Sequence, residues 1–156
     1  LRAAMAAIEA RLGRVLLARS FVWRVERCRE DASQALPVAP VRLIESVMLA
    51  DAEGNETAVD ALAWSLLRDA QRPRLVGRFG RNLPRIPRGG SATVRLVAGF
   101  GVVWDEVPGD LRQAVFLLAA HYYEIRAEAG TPAGWIPFGV LALIEAYRAT
   151  RIGGMS

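Results

Sequence analysis

The spacing of apolar residues changes period twice along this chain, and that change limits the folds open to it. Over residues 1–12, Leu1, Met5, Ile8 and Leu12 recur at helical intervals and fall on one stripe of an α-helix. The Ala-rich positions between them favour helix intrinsically, and Gly13 is a natural stop. Arg11 and Arg14 suit the negative pole of that helix. From residue 15 the period becomes two. Val15, Leu17, Phe21, Trp23 and Val25 share one face, while Arg24 and Glu26 take the other, which predicts a strand over 15–28. Residues 35–40, with Pro37 and Pro40, read as a connection. Val41, Leu43, Val47 and Leu49 then alternate again, and Gly54-Asn55 offers a turn. A further strand is expected within Val59 to Leu67, where Val59, Leu62, Ala63 and Leu66 also fit a helical stripe. Pro73 to Gly90 reads as an extended loop with a short strand at Leu75-Val76. Thr93 to Phe100 is a strand, ended by Gly99-Phe100-Gly101.

The helical period returns near residue 108. Pro108 suits the first turn, where its missing N–H costs nothing, and Asp110 favours the same turn. Leu111, Val115, Leu118, Ala119 and Tyr122 form the expected buried stripe, with Gly130 and Pro132 ending the helix. Pro137 opens a last helix whose apolar face is Val140, Leu141, Ile144 and Tyr147. Arg148 and Arg151 crowd its end, and Gly153-Gly154 release a tail. Strands grouped together rather than alternating with helices define an α+β fold: an N-terminal helix, a central block of β-strands with an Arg-rich loop, and two C-terminal helices. The expected organisation is one domain over residues 1–151, mainly β over 15–100 and helical over 107–151, with a flexible tail at 152–156.

Composition removes several function classes. An apolar fraction of 53% argues against disorder throughout. No apolar run reaches the ~18 residues that span a bilayer. The longest, Val115 to Tyr123, is interrupted by His121, so no membrane partner is expected. No signal-peptide pattern opens the chain, and a start at Leu1 rather than Met leads us to expect that the true N-terminus is missing. Cys28 is the single cysteine, which excludes an internal disulfide and a cysteine-based metal site and suits a reducing cytoplasm or a particle assembled in one.

Catalytic patterns are sparse. His121, the single histidine, lies inside a buried run and reads as structural rather than as a base or ligand. Asp105-Glu106 and the Glu124–Glu128 pair read as solvated carboxylates. Gly99-Phe100-Gly101 lacks the third glycine and following helix of a dinucleotide fingerprint, and a chain without Lys cannot carry a phosphate-binding Lys loop. No enzymatic activity, cofactor or metal is expected.

The charge is more informative. The net charge is +4, and all 20 basic residues are Arg. Coding bias in a GC-rich genome accounts for that, as does the aptitude of Arg for pairing with carboxylate or phosphate at interfaces. Arg68, Arg72, Arg74, Arg78, Arg81, Arg85 and Arg88 cluster against a single acid, Asp69. Three readings stay open for this cluster, with Arg74, Arg78, Arg81, Arg85 and Arg88 as its candidate contacts: a solvated loop, a subunit interface, or non-specific contact with a nucleic-acid backbone. Trp23 and Trp64 read as ordinary packing. Trp104 and Trp135 lie in loops flanking the long helix, a placement that more often marks an interface.

The last third of the chain carries a resemblance. It reads Ala-Gly-Phe-Gly at 98–101, Val-Pro-Gly-Asp-Leu-Arg-Gln-Ala-Val at 107–115, Leu-Leu-Ala-Ala-His-Tyr-Tyr-Glu-Ile-Arg at 117–126 and Ile-Pro-Phe-Gly-Val at 136–140, closing with Tyr147-Arg148 and Arg151. This resembles the head–tail connector, or adaptor, proteins of tailed phages, prophages and gene transfer agents. Upstream, the Ile8-Glu9 helix, the Trp-bearing strand after it and the Pro40-Val41 strand entry agree in outline. The long Arg-rich linker with Gly89-Gly90 departs from that pattern. The resemblance implies a structural virion protein that assembles in the bacterial cytoplasm as a homo-oligomeric, usually dodecameric, ring beneath the portal protein. It also implies a platform for tail-completion or stopper proteins, non-specific contact with DNA passing through the channel, and a C-terminal tail that enters the portal. The portal-binding residues expected here are Arg148, Arg151, Ile152, Gly153, Gly154, Met155 and Ser156. An Arg-rich nucleic-acid-binding module is the alternative.

Overall fold

In a computed structural model, which describes residues 1–125 and 136–148, helix α1 spans Arg2–Leu12 and ends where its period predicts. Gly13 closes it in the left-handed region at φ 64°, donating its N–H to the Glu9 carbonyl at 2.9 Å. The buried stripe is Ala4, Ile8 and Leu12 rather than one beginning at Leu1. Leu1 stands at the N-cap and is 62% exposed.

The chain then builds two antiparallel sheets. Strands β1 (Arg19–Val25), β2 (Ser33–Ala35), β3 (Val41–Ala50), β4 (Glu56–Ala58), β5 (Trp64–Leu67), β6 (Arg74–Gly77) and β7 (Ser91–Ala98) follow in order. One sheet has the order β1-β7-β3-β4 and the other β2-β6-β5. In β7, Ala92, Val94, Leu96 and Ala98 are buried on strict alternation, as its sequence predicts. Phe21, Trp23 and Val25 of β1 pair with Leu96, Val94 and Ala92, so the predicted face of β1 is its inner face.

β3 departs from the expected alternation. Its register against β7 slips between Val41 and Leu43 and again between Ile44 and Ser46. Val41, Ile44, Val47 and Leu49 therefore oppose the inward residues of β7, and Leu43, expected inside, is 45% exposed. Each bulge places two residues opposite one, which turns the following side chain to the other face.

Residues 56–67 form neither one strand nor a helix. β4 belongs to the first sheet and β5 to the second, and the chain crosses between them in a turn at Asp60. Its carboxylate accepts the Leu62 N–H at 2.9 Å, and its carbonyl accepts the Ala63 N–H at 2.9 Å. Strand β2 overlaps the stretch read as a connection. It exists because β6, a full strand at the predicted Leu75-Val76, supplies its partner. Inner-face residues of both sheets, among them Val47, Leu75, Val94 and Leu96, share one core.

Helices α2 (Gly109–Ile125) and α3 (Phe138–Ile144) complete the α+β fold, followed by a single 3-10 turn at Glu145–Tyr147. With α1 they enclose a second core of Ile8, Leu16, Val107, Leu111, Val115, Leu118, Val140 and Ile144. Pro137 precedes α3, and its carbonyl accepts the N–H groups of Val140 and Leu141. The expected helix stop at Gly130 and Pro132 lies outside the described residues.

Glu9 ties the helical lobe to the first sheet. Its carboxylate accepts the Leu16 N–H at 2.8 Å and both terminal nitrogens of Arg19 at 3.0 Å. Arg14 crosses the same junction. It is only 4% exposed and donates Nε to the Tyr147 carbonyl at 3.3 Å. Burial pushes its guanidinium below the ordinary value, and the Asp69 carboxylate opposes that shift.

Candidate interaction surfaces

The fold divides the Arg cluster by task. Arg74 sits on β6 and is engaged within the chain: its guanidinium donates to Glu30 at 2.6 Å and to the Ser33 hydroxyl at 2.6 Å. The hydrogen bond from Arg74, and then one from the Ser33 hydroxyl, which donates to Glu30 at 2.7 Å, hold the Glu30 carboxyl below the usual carboxylate range. Arg68 donates to the Arg42 carbonyl at 3.3 Å. The N–H groups of Arg72 and Gln71 bond to Asp69, which lowers that carboxyl as well. Arg81, Arg85 and Arg88 are exposed and Arg78 is half-buried, and among the described residues none of the four has a carboxylate partner.

Between Arg74 and these outward arginines the chain makes an unusual turn. Gly77 donates its N–H to Ala32, Arg78 to Ala63, and Arg81 back to Arg78. A side chain at Gly77 would collide with the carbonyl oxygen of Arg81, so glycine is required where the loop folds over itself. Those bonds hold Phe79 at φ 56°, ψ 34°, left-handed backbone that costs an L-residue about 1–2 kcal/mol. The Phe79 ring is 88% exposed, with the Arg78 guanidinium 6.0 Å from its centroid. An exposed ring with the Arg78 guanidinium at that distance offsets little of the strain within its own fold.

A second surface lies on the helical lobe. Trp104 occupies a 3-10 turn at Trp104–Glu106 and meets Phe116 edge-on at a centroid distance of 5.8 Å. Phe116, Leu117 and Tyr123 are 53%, 44% and 80% exposed. With Ala120 they form an outward stripe on α2, opposite the buried one. Asp105 and Glu124 border this stripe, and Asp105 pairs with Arg112 at 2.9 Å.

A groove of about 430 Å³ separates the end of β1 from the Arg-rich loop, with Cys28, Asp31, Arg85 and Arg88 on its walls. Burial, and secondarily Asp31, pushes the Cys28 thiol up, which makes it a poor nucleophile at neutral pH. Among the described residues no group of His, Cys, Asp and Glu side chains is placed to hold a metal ion. No helix among them is long and apolar enough to cross a membrane.

Arg148 follows the last turn and pairs with Glu145 at 3.0 Å. Trp135, Arg151, Ile152, Gly153, Gly154, Met155 and Ser156 lie outside the described residues. Sequence reasoning missed Phe79 and the outer stripe of α2. The stripe had a signal, because Val115 to Tyr123 is apolar nearly all round the helix, which one buried face does not require.

The chain matches no protein-family profile and no curated protein. It is similar to solved structures of gene transfer agent (GTA) particles. A chain in the neck of a native GTA particle, computed with C12 symmetry, is 47% identical with a TM-score of 0.87, over 99% of this chain and 82% of that one. A chain in the neck of an empty GTA particle, computed with C6 symmetry, is 46% identical with a TM-score of 0.85, over 99% and 77%. A chain in the virion of a native GTA particle is 46% identical with a TM-score of 0.86, over 99% and 77%. The fold and these neighbours define the class, a structural component of a particle neck. The chain belongs to the head–tail connector family that includes these GTA neck proteins.

Proposed function

We propose that the protein is the head–tail adaptor of a tailed phage or gene transfer agent particle. It assembles as a homo-oligomeric ring, twelvefold in the completed particle, beneath the portal protein. The ring extends the DNA channel and offers its far side to a tail-completion or stopper protein. The observation that carries this reading is similarity along 99% of the chain, at 46–47% identity, to neck components of GTA particles.

Two groups of residues follow from this reading. Arg148 with the tail Arg151, Ile152, Gly153, Gly154, Met155 and Ser156 is the portal contact, since a short Gly-led segment can order in a partner's groove. Arg85 and Arg88, exposed on the Arg-rich loop and without a carboxylate partner among the described residues, supply diffuse attraction to DNA phosphates, which suits a channel through which DNA must slide. Each copy brings a charge of +4, so ring closure itself requires arginines to meet carboxylates or phosphates.

Quantitative mass spectrometry of purified particles tests the reading: the protein should be present in fixed proportion to the portal. Truncation after Tyr147 should leave the fold intact and abolish attachment to the portal. Particles lacking the polypeptide would overturn the assignment. A second reading, a nucleic-acid-binding module, is favoured by Arg78, Arg81 and Arg85, which have no carboxylate partner among the described residues. It predicts steeply salt-dependent DNA binding by the isolated monomer that falls when those three become Gln.

A further inference from the structure

We infer that neighbouring copies of this chain join head to tail, with the Phe79 knob of one subunit seated on the outer α2 face of the next, between Trp104, Phe116 and Leu117. This inference rests on the ring reading above and names the contact that closes the ring.

The neck structures similar to this chain were computed with C6 and C12 symmetry. A cyclic ring larger than a dimer needs two unlike, complementary faces on every subunit. Two of this chain's exposed apolar surfaces fit that need. Phe79 is 88% exposed and its backbone is held in a left-handed conformation by a loop that folds over Gly77. The outer α2 stripe exposes Phe116, Leu117 and Tyr123 beside the half-buried Trp104.

Their borders differ in sign. Arg78 and Arg81 flank the knob with no carboxylate partner among the described residues. Asp105 and Glu124 border the α2 face, and among the described residues Asp105 is paired with Arg112 while Glu124 has no ion-pair partner. Knob on face brings arginines to carboxylates and buries both apolar groups. Face on face would set acids against acids, and knob on knob would set arginine against arginine. Duplex DNA suits neither surface. Its stacked bases offer no seat for a phenyl ring, and its phosphates are repelled by the acid border. A second copy of this chain is therefore the occupant the two surfaces favour.

Phe79→Gly separates assembly from folding. Glycine adopts φ 56° without strain, so the variant should melt at or above the wild-type temperature. Its copy number in purified particles should nevertheless fall at least about tenfold. Wild-type incorporation of Phe79→Gly would overturn the inference. Contact is read directly with Arg81→Cys and Ala120→Cys, on a Cys28→Ala background, which leave Phe79 and Leu117 in place. A short bis-maleimide added to purified particles should yield a ladder of covalent multimers of this chain only when both cysteines are present. Cross-linking of Ala120→Cys to a different polypeptide, or no ladder in particles holding the variant at normal copy number, would sink the second-copy assignment. Particles from which the wild-type protein itself is missing would instead remove the adaptor reading.

Discussion

The helical lobe and the sheet pair bury their cores to different depths. Every buried side chain of the helical core except Leu12 is at most 1% exposed. In the sheet-pair core only Val94, Leu96 and Ala98 reach that depth, and all three lie on β7. Three helices can close around Leu111, Val115 and Leu118 from all sides. The three-stranded sheet is too short to cover its larger partner, so Trp23, Trp64 and Cys28 stay half-buried at the margin. The lesson concerns division of labour. The dry lobe presents its surplus apolar residues outward as a fixed face, and the looser sheet carries the projecting Arg-rich loop.

The largest test of that contrast is a matched pair of truncations. Leu118→Ala in the helical core should cost about 3–5 kcal/mol of unfolding free energy, because a fully enclosed site cannot collapse onto the cavity. Leu83→Ala, at the 7% exposed edge of the sheet-pair core, should cost about 2–3 kcal/mol. Denaturant titrations of both variants measure the difference, and equal losses would break the comparison.

A smaller effect is expected at the link between the lobes. Glu9→Gln keeps an acceptor for the Leu16 N–H but loses the charge-assisted pair with Arg19. With Arg19 half exposed, the loss should be about 1 kcal/mol. Urea unfolding of the variant beside Arg19→Gln checks this, since the two should fall by similar amounts if the pair is the cause.

The smallest effect is a pH dependence on the short sheet. Hydrogen bonds from Arg74 and Ser33 lower the folded-state Glu30 pKa, so this carboxylate stabilises the fold above its unfolded value. The contribution is lost as pH falls through the lower, folded value. Arg74→Gln should therefore be less stable than wild type at neutral pH, and the gap should close as pH falls through the lowered folded-state value of Glu30. Thermal melts across pH 3 to 7 read it, roughly bracketing the carboxylate range. A gap that persists at the acid end would assign the role of Arg74 to packing.

The elements legible in the sequence share one property: a single strong partner on one face. α1, α2 and β7 each bury one periodic stripe, so local spacing reports the tertiary face directly. The site was legible in part. Trp104 was expected at an interface and the Arg cluster stayed open between a solvated loop, a subunit interface and nucleic-acid contact, whereas Arg74, expected among its contacts, is bound to Glu30 inside its own fold. Nothing in the local sequence distinguishes Arg74 from Arg78, because the difference is a carboxylate brought from 44 residues away.

By itself, then, the amino-acid order determined the α+β layout, the helix limits around Gly13 and Pro137, the inner face of β7 and the family. Tertiary structure alone decided the two bulges of β3, the crossing of residues 56–67 between sheets, and the left-handed backbone of Phe79. Those features depend on which strand lies alongside and on hydrogen bonds to the Ala32 and Ala63 carbonyls that close the Phe79 loop. Period and propensity are sums over neighbours in the chain, while register and strain are set by neighbours in space.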